Sequence, residues 1–99
     1  MNRLYFTDYT RHCMRFYARH PDKSSFASKA DAEDWSACQR AMDFYSPEEK
    51  EILLQVYARR DTLEDNVYEV AKEHHVDQNV IWSLLGDLDR TVAKERGLL

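Results

Sequence analysis

Apolar positions recur along this chain at helical rather than strand spacing, and they sort it into five segments. From about Asn2 to Arg19, Tyr5, Phe6, Tyr9, Cys13, Phe16 and Tyr17 share one broad face, while Arg11, Arg15 and Arg19 stripe the other at intervals of four. So aromatic a face predicts burial against the C-terminal helices, and the arginine stripe is expected to stay outside. His20-Pro21-Asp22 ends the segment, because Pro21 disfavours helical backbone at the residue before it. The run Lys23 to Lys29 is the candidate linker, with Phe26 tucked back onto the core. A second helix is expected from about Ala30 to Phe44, with Trp35, Cys38, Met42 and Tyr45 inward and Ala41 easing close packing.

Ser46-Pro47-Glu48-Glu49 is the sharpest boundary in the chain: Ser46 caps, Pro47 opens the helix and Glu49 completes a capping box. Ile52, Leu53, Val56 and Tyr57 carry that helix to Arg59-Arg60, and Asp61 to Asn66 reads as a connection. Val67, Val70, Ala71 and His74 then make one stripe, and Ile81, Leu84, Leu85, Leu88 and Val92 another. Between them His75-Val76-Asp77 leaves room only for a turn, with Asp77 as N-cap of the last helix. The expected fold is all-α: a single compact five-helix domain over residues 1–99, with an N-terminal helical hairpin (1–45) and a C-terminal three-helix unit (46–99) that ends in a helix-turn-helix.

Ala71 supplies the small residue where the two last helices would cross, and Val76 the apolar residue inside the turn. In this the stretch from Ser46 through Ala93 to Leu98 resembles the promoter-reading helix-turn-helix of bacterial sigma factors and its small relatives in phages and other mobile elements. One departure is His75, which stands at the corner where that family usually has Gly; a His can adopt the left-handed backbone only at some cost, so a turn of different shape is open here. The resemblance implies a DNA-binding transcriptional regulator whose last helix enters the major groove. Opposite Ile81, Leu88 and Val92 lie Asn79, Ser83, Gly86, Asp87, Arg90 and Lys94, with Gln78 and Trp82 on the flank. Asn and Gln suit adenine and Arg suits guanine, so Gln78, Asn79, Trp82, Ser83 and Arg90 are the expected reading residues, with Arg59, Arg60, Lys94 and Arg96 toward phosphates. Asp87 opposes such a role.

Composition narrows the alternatives. Two glycines and two prolines in 99 residues favour helices over sheets. Cys13 and Cys38 fall within helical patterns with no signal peptide or long apolar run before them, so they read as buried core residues of a cytoplasmic protein rather than a disulfide or metal pair. The Arg-rich first twenty residues suggest a transit peptide, but their aromatic content fits a structural helix better. No cofactor motif, nucleophile setting or metal spacing emerges: His12, His20, His74 and His75 form no pattern with the cysteines, and catalysis is not expected.

Charge pulls the other way. Residues 1–20 hold four Arg against Asp8, a balance of +3; Asp61 to Val76 holds five acids against Lys72, a balance of −4, and the whole chain stands at −4. A free-standing DNA reader is usually basic. Double-stranded DNA, with RNA polymerase as a helper, or a homodimer formed through Trp82 or the aromatic first helix, would reconcile the two. The competing expectation is a protein-binding module whose acidic surface of Asp61, Glu64, Asp65, Glu69 and Glu73 occupies the groove of a basic nucleic-acid-binding protein, as anti-CRISPR proteins do, with Arg11, Arg15 and Arg19 as a second contact.

Overall fold

A computed structural model describes residues 6–20, 26 and 28–99. Its elements are five helices: α1 (Thr7–Arg19), α2 (Lys29–Met42), α3 (Pro47–Ala58), α4 (Leu63–His74) and α5 (Gln78–Glu95). There is no strand among the described residues. Tyr5 and the start expected at Asn2, Pro21 and Asp22, and most of the linker expected over 23–29 lie outside the described residues. Phe26 does turn back onto the fold, half-buried, with its ring centroid 5.9 Å from those of both Phe16 and Trp35.

Local chemistry sets most helix ends. Ser28 opens α2 by accepting from Asp31 N at 3.1 Å. At α3 the capping box is complete: Ser46 Oγ accepts from Glu49 N at 3.2 Å, and Ser46 N donates to Glu49 Oε1 at 2.9 Å. Asp77 accepts from Asn79 N at 2.7 Å to open α5. Between α4 and α5, His75 takes the left-handed conformation (φ 56°, ψ 42°). The turn closes on Val76 N donating to Ala71 O at 3.0 Å and His75 N donating to Lys72 O at 3.4 Å, the paired bonds of a Schellman end.

Two boundaries differ from expectation. Asp61 to Asn66 is not a connection: Thr62 accepts from Asp65 N at 3.2 Å and α4 begins at Leu63. Asn66, 4 % exposed, lies inside that helix because its Nδ2 donates to the free carbonyls ending α3, Val56 O at 3.0 Å and Arg59 O at 3.1 Å. Helix α2 stops at Met42, so Phe44 falls beyond it and is exposed.

One core joins Cys13 and Met14 of α1, Cys38, Ala41 and Met42 of α2, Leu53, Val56 and Tyr57 of α3, Val67 and Val70 of α4, and Ile81, Leu85, Leu88 and Val92 of α5. Helix α1 packs chiefly on α2 and α3, with a lesser contact on α5, rather than on the C-terminal pair as its aromatic face suggested. Its buried ridge is Phe6, Thr10, Cys13 and Met14, while the larger aromatics ride at the rim where their hydroxyls find partners. Tyr17 donates to Gln39 Oε1 at 2.9 Å and Tyr9 to Asp34. Both cysteines are buried and unpaired. Burial pushes the Cys13 thiol up to about 12 and raises that of Cys38 further, so both stay protonated and inert.

The arginine stripe is only partly outside. Arg11 Nε stands 3.5 Å from Asp89 Oδ2, and Arg19 Nη2 donates to Arg59 O at 3.3 Å; Arg15 alone of the three is exposed. Asp89, 3 % exposed, also accepts from Thr10 Oγ1 at 2.9 Å. Arg96 donates through Nε to Asp34 Oδ1 at 2.6 Å and pairs with Glu33 at 3.3 Å, and Arg40 pairs with Glu95 at 2.8 Å.

Candidate functional site

Helix α5 buries Ile81, Leu85, Leu88, Asp89, Val92 and Ala93 and turns Asn79, Val80, Ser83, Asp87, Arg90 and Lys94 outward, which follows from its spacing. The side chains of Gln78, Asn79, Ser83, Arg90 and Lys94 make no hydrogen bond or ion pair with the described residues, whereas Arg11, Arg19, Arg40, Arg59 and Arg96 are all engaged. Polar groups free on one helix face are the raw material of recognition; groups already bonded must first break those bonds.

At the N-terminal end of α5 an open groove of about 680 Å³ runs along the corner with α4. Gln78, Asn79 and Trp82 line it from α5, Tyr68, Ala71 and Lys72 from α4, and Val76 and Asp77 from the turn. The left-handed His75 makes this groove possible, since it reverses the chain within three residues and brings Lys72 beside Gln78.

The sequence-predicted set does not gather at one place. Arg90 follows Gln78 by twelve residues, so it stands roughly 18 Å further along the helix. Arg90 and Lys94 line a separate hollow of about 430 Å³ with Phe44, Asp87, Thr91, Glu95 and Leu99. Ser83 borders a third, of about 490 Å³, with Phe44, Tyr45, Glu49, Val80, Leu84 and Asp87. Asp87, which counted against base reading, accepts from Tyr45 OH at 2.5 Å. Burial and that carboxylate together hold the Tyr45 phenol well above its ordinary pKa, so the hydroxyl remains a donor.

Arg59 and Glu73, given to competing binding roles from sequence, bind each other, with Nη2 donating to Oε1 at 2.5 Å. The guanidinium draws the Glu73 carboxyl below its ordinary pKa. Arg60 is exposed, as are Asp61, Glu64, Asp65 and Glu69. Glu64 and Asp65 sit in the first turn of α4, where acids complement the helix dipole. Arg96 is withdrawn from any phosphate role by Asp34 and Glu33.

Tyr68, Lys72 and Phe44 were missed from sequence. Tyr68 and Lys72, four apart, carried a legible signal, since they lie on the side of α4 away from Val67, Val70 and Ala71. Phe44 carried none, because its exposure depends on where α2 stops. Among the described residues, no helix is long and apolar enough to cross a membrane, and no group of three or more His, Cys, Asp or Glu side chains is disposed to hold a metal. No protein-family model, curated protein or solved structure matches the chain.

Proposed function

We propose that the protein binds double-stranded DNA, leading with the α4–α5 corner, as a transcriptional regulator of the phage or mobile-element kind. The observation that carries this reading is the set of uncommitted polar side chains at the N-terminal end of α5, beside an open groove edged by Lys72. In helix-turn-helix proteins the first turns of the second helix meet base edges. Gln78 and Asn79 have the paired donor and acceptor that adenine requires, Ser83 permits close approach, and Trp82 offers an apolar edge to a thymine methyl. Lys72 and Arg60 serve the phosphates. Two free cations at this corner, on a chain of net charge −4, imply weak binding by one copy, and DNA-bound RNA polymerase is a natural source of further affinity. Two unpaired buried thiols accord with a cytoplasmic location.

A second reading draws on α4, where Asp61, Glu64, Asp65 and Glu69 are exposed. That surface would engage a basic nucleic-acid-binding protein in place of DNA. Fluorescence anisotropy with random-sequence duplex at low salt separates the two. Expected are binding near the micromolar range, lost as salt rises, and a drop of about tenfold in Asn79→Ala after the preferred sequence is selected. Absence of binding at low salt, with Glu64→Lys and Asp65→Lys abolishing capture of a basic partner, would replace the first reading by the second.

A further inference from the structure

The large apolar side chains left exposed among the described residues are Phe44 (73 %), Leu99 (60 %), Val80 (51 %) and Tyr68 (51 %). Tyr68 belongs to the corner groove. The other three line the two hollows along the outer face of α5, which adjoin and share Phe44 and Asp87. Phe44 thus stands between the hollows, an aromatic ring in water beside two depressions of similar size. Val80 and Leu99 lie at opposite ends of α5, each in one hollow, and the exposed Phe44 joins the two into one apolar line edged by charge, the mark of a contact surface.

Charge identifies the occupant. Asp87 and Arg90 lie about one turn apart on this face and Lys94 a turn further on, so both signs stand along one helix, while Glu95 is held by Arg40. Phosphates would meet Asp87, and a basic partner would meet Arg90 and Lys94. A copy of the same surface meets neither conflict: two α5 helices packed antiparallel about a two-fold axis set Asp87 of each against Arg90 of the other, twice. Asp87 bonds Tyr45 through Oδ2, and Arg90 has no partner among the described residues, so this pairing breaks no bond already formed.

We propose that a second copy of this chain docks here, α5 against α5, with the Phe44 ring of each copy over the hollows of the other. The dimer does not rest on DNA binding; it covers Ser83 and Lys94, and leaves the groove of Gln78, Asn79 and Trp82 open at both ends. It also doubles the contacts an acidic reader can make.

Sedimentation velocity of the full chain across about 1–100 μM is the test, because a dimer reveals itself by mass action. The sedimentation coefficient is expected to rise with concentration. Phe44→Ser, at a position too exposed to disturb the fold, should weaken association about tenfold or more. Asp87→Arg and Arg90→Asp should each be monomeric, and an equimolar mixture of the two should recover the dimer through restored opposite charges. A wild-type chain that stays monomeric overturns the proposal and leaves the face to a different protein. So does unchanged association in Phe44→Ser, or a mixture of folded single variants that stays monomeric. If Asp87→Arg fails to fold for want of the Tyr45 bond, Phe44→Ser and Arg90→Asp decide the matter. Failure of DNA binding leaves all of these readouts intact.

Discussion

The two flanks of α5 are held by different physics. Toward α3 and α4 the helix is held by the shared apolar core, to which it gives Ile81, Leu85, Leu88 and Val92, a contact with little directional demand. Toward α1 and α2 it is tied by named polar groups: Asp89 to Thr10 and Arg11, Glu95 to Arg40, and the Arg96 that follows the helix to Asp34 and Glu33. Apolar burial scales with area and tolerates small shifts, whereas a buried carboxylate is stable only where its donors stand. Both flanks therefore share in the apolar holding free energy, and the polar ties of the second decide where along and around its axis α5 rests.

The sharpest break in that comparison comes from Leu85, which is fully buried. Leu85→Ala should cost about 3–4 kcal/mol in urea unfolding, with the cavity adding to the lost transfer free energy. Next comes Asp89→Ala, which strands the buried end of Arg11 and should cost about 2–3 kcal/mol; Asp89→Asn, which can still accept from Thr10, should lose less. If Asp89→Ala proved neutral, the polar flank would be ornamental. The smallest effect has the opposite sign: His75→Gly relieves a left-handed non-glycine residue and should raise stability by roughly 0.5–1 kcal/mol. Unchanged unfolding in His75→Gly would mean that the imidazole compensates for its backbone.

What was legible in the sequence is what local rules decide. The Ser46 and Glu49 capping box, the Asp77 cap, the tight turn at His75 and the inner stripes of α2, α3 and α5 all depend on residues within a turn or two of each other. The start of α4 shows where such rules stop. Thr62 and Asp65 carry a capping signature, but the polar run from Asp61 to Asn66 hides it, and only α3 explains why Asn66 is buried. The arginines are harder still. An i, i+4 stripe reads as a solvated face, and Asp89, the partner of Arg11, lies at the far end of the chain. Its own signal was an acid set among Leu85, Leu88 and Val92. The outward face of α5 could be projected from its sequence; its division between the corner groove and the Phe44 hollows could not, because Phe44 belongs to no helix.

Buried Asp89 has a consequence beyond stability. Successive residues on a helix are turned by about 100°, so slippage of α5 by one position would swing its whole outer face to another heading. Leu85 alone would resist this weakly, since Leu84 beside it could take its place. A carboxylate with fixed donors on α1 cannot be so replaced, and it acts as an index pin: α5 is set at one angle before any ligand arrives. Whatever that face meets, the bearing of Asn79, Asp87 and Arg90 is fixed in the free protein, and association need not spend interaction energy on aligning them.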